Sequence, residues 1–532
     1  MKFNKKYILA AFTSIALILT GCTDKFADIN DSEHGFSDED LTQDFNHVKS
    51  LYEPMINNVY TYDPPWVTQL QQNLIGDVYS GFMMPPTPFA GNINNMTYAL
   101  VDGWNGFPWS TAYSNIMTNA LRVYQRTAEE TNSPFYAWSL ILKVEAMHRV
   151  SDIYGPIVYS EFGTEEATIP YDSQKDVYYK FFDELKTAVD ILTTAVDAGD
   201  ASVLGGTDFT AYAGDYASWV KFANSLRLRL AIRIAKVDPS KAQTEAEAAV
   251  AHSLGVIEAN SGSAIAVSAK YMHPLITINS AWGDVRMGAP MESILTGYSD
   301  PRLPVYFNTS DIDPGNYKGI RNGIDIAAKS DYVVFSPLGS VIETNEVTWM
   351  PAAEVHFLRA EGALRGWSMG GTAQGFYESG IAESFAQHGA GDATDYIANS
   401  SSTANAYVDP VNSANNVDVG SDYLSTATIA WDESAEDEIK LEKIITQKWI
   451  ALFPDGQEAW SEFRRTGYPT LFPVMVNNSG GAISTEDFIR RVNFVASEYA
   501  NNPSGVATGV THLGGADNGG TRLWWDTGGG NF

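Results

Sequence analysis

Gly366-Trp367-Ser368-Met369-Gly370 matches the G-x-S-x-G spacing that lifts a nucleophilic serine out of a sharp strand-to-helix turn. That turn needs a strand before the serine. Here the preceding residues carry a helical period, so the segment is read as the loop of a helical hairpin and no catalytic residue is assigned. The eight histidines are scattered, with no H-E-x-x-H and no pair at metal-ligand spacing, so no metal site is expected. His148 and His356 fall on apolar helices and are expected in the core. Neither a Walker loop nor G-x-G-x-x-G is present, and no cofactor is expected. Carboxylate pairs suited to glycoside hydrolysis abound among 64 acidic residues, and only geometry could select one.

The aromatic residues offer more. Between residues 51 and 110 there are eleven aromatic side chains and seven prolines. Prolines such as Pro64, Pro65, Pro85, Pro86 and Pro88 break helices, so several of the rings belong on loops. A loop ring beside Asn or Asp can stack on the apolar face of a sugar while its neighbours bond the hydroxyls. Trp104 lies beside Asp102 and Asn105, and Trp282 lies near Asp284; with Trp66 and Tyr98 they are the candidate ligand-binding residues. The competing reading is that such rings plug the ends of helical layers.

The one cysteine, Cys22, excludes an internal disulfide and stands at a telling place. Lys2, Lys5 and Lys6 precede an apolar stretch over residues 7–20, too short to span a bilayer as a stable helix. The stretch ends in Leu19-Thr20-Gly21-Cys22, which resembles the lipobox of bacterial lipoproteins. Residues 1–21 are therefore expected to be a lipoprotein signal peptide and Cys22 the acylated anchor in outer-membrane lipid. Burial of each acyl CH₂ stabilises by roughly 0.8 kcal/mol, so several chains hold firmly. Residues 22–45, rich in Asp and Glu, read as a lipidated acidic tether; an anionic leader in this place resembles the export signal of surface lipoproteins in the Bacteroidetes.

These residues must be positioned by helices. Ala353, Phe357, Ala360, Leu364 and Trp367 recur at steps of four and three, as do Trp219, Ala223, Leu226, Leu230 and Ile234. Similar periodicity runs through 109–130, 134–154, 176–198, 240–254, 371–388, 435–453 and 457–464. Strand-like alternation is confined mainly to 263–269 and 331–336. The segments 350–367 and 371–388, joined by a short Gly-rich loop, look like a degenerate tetratricopeptide hairpin. Residues 46–532 are read as a single, mainly α domain, with loop insertions near 255–349 and 389–432 and a further irregular stretch over 474–532. Arg464 and Arg465 are expected to bond helix C-terminal carbonyls or carboxylates such as Glu458. The chain has 34 Lys+Arg against 64 Asp+Glu, a formal charge of −30, and 44% hydrophobic residues. That composition supports a large core, and its acidity excludes a nucleic-acid partner.

The runs Tyr154-Gly155-Pro156-Ile157-Val158-Tyr159-Ser160-Glu161, Pro170-Tyr171-Asp172-Ser173-Gln174, the stretch 219–238, Asp300-Pro301-Arg302-Leu303 and above all 447–469 resemble the SusD/RagB family of outer-membrane nutrient-binding lipoproteins. Arg490-Arg491-Val492 and Leu523-Trp524-Trp525-Asp526 extend the resemblance to the tail. Val158 departs from the Pro that the family often carries before Tyr-Ser-Glu. The resemblance implies tetratricopeptide-like hairpins forming a right-handed superhelical scaffold with long ordered loops and minor β. It also implies lipid anchoring on the outer face of the outer membrane, a SusC-like TonB-dependent transporter as partner, and capture of an oligosaccharide or peptide ligand without catalysis. The ligand platform is not a sequence motif, so no ligand residue follows from the resemblance. Three other readings stay open at this point: a secreted all-α glycoside hydrolase, a structural adhesin or scaffold, and a peptide-binding importer component.

Overall fold

The computed structural model describes residues 45–127, 133–166 and 168–532. Cys22, the signal peptide and the acidic tether up to residue 44 lie outside the described residues. The chain divides into a unit ending at Ser50, whose described residues 45–50 hold the short helix Asn46–Lys49, and a unit Leu51–Phe532.

The second unit is built on helices α1 (Pro134–Tyr154), α2 (Gln174–Ala198), α3 (Tyr216–Arg233), α4 (Pro239–Val250), α5 (Ala352–Leu364), α6 (Ala373–Gln387), α7 (Asp437–Leu452) and α8 (Gly456–Thr466). Their starts follow from the local sequence. Ser173, Asp215, Asp238 and Thr372 each accept a hydrogen bond from a backbone N–H of the first turn, of α2, α3, α4 and α6 respectively. Pro134 opens α1, where its missing N–H costs nothing. Consecutive helices pack as neighbours, α1 on α2, α2 on α3, α3 on α4 and α5 on α6, while α7 packs against α5 and α8. The hairpin loop between α5 and α6 contains exposed Ser368, preceded by a helix and not by a strand, so the G-x-S-x-G spacing builds no nucleophile elbow.

Charge, as well as apolar area, holds the helices together. Arg229 of α3 donates to Glu354 of α5 through two nitrogens at 2.8 and 2.6 Å. One turn on, Arg233 meets Glu458 at 2.5 Å and Glu462 at 2.6 Å on α8. Arg465 bridges Glu361 at 2.6 Å and Glu462 at 2.8 Å, and Lys448 of α7 stands 3.2 Å from Glu462. All of these groups are buried, so each charge requires its partner: removing one leaves another stranded in low dielectric. Arg464 does not pair with Glu458. It donates to the carbonyls of Asp152 and Arg490 and lies over the Trp460 ring at 3.5 Å.

Among the described residues, two small antiparallel sheets complete the unit. β1 (Met83–Met84) pairs with β3 (Arg286–Met287), and β2 (Ala264–Val267) with β4 (Glu346–Met350). Two expectations are corrected. Residues 331–336 form no strand: Lys329–Tyr332 is a helical turn, and the carbonyls that follow are taken by other partners, Val333 by the Arg286 side chain and Val334 by the N–H groups of Asp311 and Ile312. The stretch 474–532 is not wholly irregular, since it holds helices Ala496–Asn501 and α9 (Pro503–Leu513). His148 and His356 are in the core region as expected, each with one ring nitrogen bonded to a backbone carbonyl and the other without a partner among the described residues.

Candidate functional site

The register of β1 and β3 builds the site. Met83 faces Met287 and Met84 faces Arg286, so residues just after β1 must face residues just before β3. Pro85, Pro86 and Pro88 cannot extend the ladder, and the chain leaves the sheet as a loop. Thr87 then reaches Asp284, its hydroxyl donating to Oδ1 at 2.5 Å. Lys329 closes the junction from a third segment, donating from Nζ to Asp284 Oδ1 and to the Trp282 carbonyl, both at 2.6 Å. Gly283 between them has φ +62°, a left-handed conformation that a side chain would strain. Trp282 is thus held by its backbone, with its ring half-buried.

Two further rings reach the same region on helical turns. Trp66, 46% exposed, sits on the turn Pro65–Thr68, which packs against Thr277–Ala281, the turn that runs into Trp282. Its ring meets Phe107 edge-on at 5.3 Å. Half-buried Trp104, on the turn Asp102–Asn105, meets Phe89 edge-on at 5.7 Å, and Phe89 lies on the loop that carries Thr87.

The wide helix Gln69–Asp77 supports both turns. It continues the chain directly from the turn that carries Trp66, and its Leu74 carbonyl accepts from Asn95, which also bonds Asn105 at 2.7 Å. Asn105 is therefore spent on structure, and Asp102 is the exposed polar neighbour of Trp104. Asp77 anchors the end of that helix by accepting from Asn73, Gln72 and the Gly456 N–H, and burial pushes its carboxyl up to about 7.

Tyr98 does not share this surface. It is 3% exposed, in a left-handed backbone conformation, edge-on to Tyr79 in the core, and burial holds its phenol well above the usual range. The structure thus brings Trp66, Trp104 and Trp282 onto adjoining segments and sets Tyr98 apart. Residues missed in the sequence are Phe89, Phe107, Thr87 and Lys329. Phe89 and Phe107 stand in the aromatic-rich stretch, whereas no local signal marks Thr87 or Lys329.

Exposed and half-buried rings backed by fixed loops can stack on apolar faces and can hold a flat, hydroxylated chain in one orientation. Among the described residues no group of three or more His, Cys, Asp or Glu could hold a metal ion, and no helix is long and apolar enough to cross a membrane.

A chitin-binding SusD homologue from Flavobacterium johnsoniae is 56% identical and superposes with a TM-score of 0.89 over 92% of this chain and 100% of its own. A SusD homologue from Bacteroides vulgatus is 38% identical, with a TM-score of 0.87 over 92% and 100% of the two chains. One from Bacteroides uniformis is also 38% identical, with a TM-score of 0.83 over 90% and 99%. No curated protein sequence matches the chain. The family described as SusD-like, SusD and RagB outer membrane lipoprotein, matches residues 28–526. With that match over most of its length and these relatives covering nine-tenths of it, the chain belongs to the SusD-like family of outer-membrane lipoproteins.

Proposed function

We propose that this lipoprotein captures neutral, chitin-type oligosaccharides on the surface formed by Trp66, Trp104 and Trp282 and passes them, unhydrolysed, to a TonB-dependent transporter of the SusC type. The observation that carries the reading is the placement of three tryptophans, one of them nearly half exposed, on adjoining segments, with the Trp282 segment held by Thr87 and Lys329 through Asp284. The 56% identity to a chitin-binding homologue supports the choice of ligand class. Binding without turnover fits the surroundings of Trp282, where Asp284 is occupied by a hydroxyl and an ammonium.

Calorimetry with chitohexaose tests the site. Trp66→Ala and Trp282→Ala should each weaken binding about thirtyfold, the effect of losing about 2 kcal/mol at an aromatic hot spot. Unchanged affinity in both variants would refute it. Delivery to a transporter is tested by mild-detergent purification at native expression, where an outer-membrane barrel should co-purify in near-equal amount. Anchoring through Cys22 is tested by Cys22→Ala, which should abolish lipid labelling and leave the protein unprocessed or released.

A further inference from the structure

An open groove of about 480 Å³ adjoins the ring pair Trp104–Phe89. Val101, in its lining, accepts the Trp104 N–H through its carbonyl at 2.9 Å. Ile93, also in the lining and 63% exposed, follows the turn Phe89–Asn92 and donates its N–H to the Ala90 carbonyl at 3.3 Å. Asn478, Asn493 and Asn518 line the groove from the far end of the chain, and buried Tyr98 takes part as well. Asn478 ties the two chain regions together, its Nδ2 donating to Thr97 Oγ1 at 3.2 Å and to the Asn92 carbonyl at 3.3 Å. The size of the groove falls within the range of ligand sites.

No residue of the lining is Asp, Glu, Lys, Arg or His, on a chain that carries 64 acidic and 34 basic residues. Three half-buried asparagines instead each keep one amide atom open to water and without a hydrogen-bond partner among the described residues: Asn478 Oδ1, Asn493 Nδ2 and Asn518 Nδ2. Two of these are aimed by the other half of their own amide. Asn478 is held through Nδ2 as above, and Asn518 Oδ1 accepts the Gly520 N–H at 2.9 Å.

Such a lining discriminates between partners. A charged ligand would lose hydration against residues with no counter-charge, and an apolar one would strand the three amides. Hydroxyl and acetamido groups donate and accept and so satisfy them, while the C–H face of a sugar ring covers Ile93. Continuity with the tryptophan surface names the glycan: a chain that lies over Trp104 and runs on past it meets Val101 and Ile93. We propose that the groove takes the continuation of the bound oligosaccharide beyond Trp104, so that the protein selects long chains over short ones. The inference rests on the tryptophan surface as the ligand site and extends it.

Calorimetry on the full-length protein in detergent, with chitohexaose and chitotriose as probes, tests the groove. Chitotriose is short enough to be held by the tryptophans alone. Ile93→Ser/Asn493→Ala should weaken chitohexaose binding about tenfold and leave chitotriose binding unchanged. Ile93 is exposed and the Asn493 side chain bonds nothing among the described residues, so the ligand-free melting temperature should hold, which separates lost binding from lost folding. Unchanged chitohexaose affinity in the double variant, or an equal loss for both lengths, would overturn the proposal. Where chitotriose gives no heat, the chitohexaose result decides alone. Failure of the tryptophan reading shows differently: chitohexaose would then bind Trp66→Ala and Trp282→Ala as tightly as the parent protein.

Discussion

Trp66 and Trp460 carry the same ring in opposite settings, one 46% exposed and the other wholly buried against Arg464. Truncating them should separate ligand contact from packing. Trp460→Ala is expected to cost about 3–5 kcal/mol of stability, whereas Trp66→Ala should lower glycan affinity with stability changed by no more than about 1 kcal/mol. Denaturant titration beside calorimetry reads both quantities. Glu145 provides a second residue-scale test. Burial pushes its carboxyl up to about 8 against the pull of Arg229 and Arg149, so the folded protein keeps a proton that the unfolded chain releases near 4.5. That contribution is fully present below the unfolded value and is lost as pH rises through the folded one. Glu458, held down to about 2 because its partners Arg233, Arg229 and Lys448 outweigh the opposing effect of burial, has the opposite sign, but its contribution is already complete above about 4.5. Buried His273 and His388, held below their ordinary value of 6.5, act in the opposite direction over the lower part of this range, so the test is differential: in chemical denaturation Glu145→Gln should gain stability relative to the parent as pH rises from about 5 to 8. A difference between the two that stays constant with pH would contradict the titration of Glu145.

At the scale of elements, the helix Gln69–Asp77 and α8 approach each other backbone to backbone in the support of the site. A Cβ on Gly76 would lie 2.7 Å from the Gln457 backbone, and one on Gly456 would lie 2.3 Å from the Asp77 backbone. Backbone cannot step aside as a side chain can. Gly76→Ala and Gly456→Ala should each cost about 1–3 kcal/mol and should also weaken glycan binding, because the displaced helix continues into the Trp66 turn. Gly106→Ala, whose Cβ would meet only ordinary contacts, is the control. The long helices were legible because an amphipathic or fully apolar period of three to four residues is written locally, as in α1, α3 and α5. α9 escaped notice because Gly505, Ala507 and Gly509 give it little periodic contrast, and β4 because its five residues lie within an irregular stretch. Alternation misled at 331–336, where side-chain and loop donors claim the carbonyls a strand would use. The candidate rings were legible as aromatics beside Pro, Asn and Asp. Their assembly was not, since it depends on two-residue strands about two hundred positions apart, and the burial of Tyr98 depends on Tyr79 and the tertiary core. The ion lattice was illegible for a related reason: Arg229 and Arg233 have the composition of a solvated helix face until Glu354, Glu458 and Glu462 arrive from distant helices.

For the whole molecule, the formal charge of −30 belongs to the surface, because buried cations such as Arg229, Arg233 and Arg465 are matched by buried carboxylates such as Glu354, Glu361, Glu458 and Glu462. An acidic exterior repels uronic-acid and sulfated glycans and is indifferent to neutral ones. Chito-oligosaccharide affinity should therefore stay constant from about 50 to 500 mM salt, and polygalacturonate should not bind; a strong salt dependence would point to charged contacts in place of ring stacking. In the function proposed here, the lipid anchor, the hairpin scaffold and the tryptophan surface together hold a neutral chain beside the membrane without cutting it. The most direct test is the position of chitohexaose in a crystal of the complex. Sugar rings should lie over the faces of Trp66 and Trp282 at van der Waals distance, about 4 Å, with Trp104 alongside and the Thr87–Asp284–Lys329 junction unbroken. A hexasaccharide bound elsewhere, with all three tryptophan faces bare, would contradict the assignment.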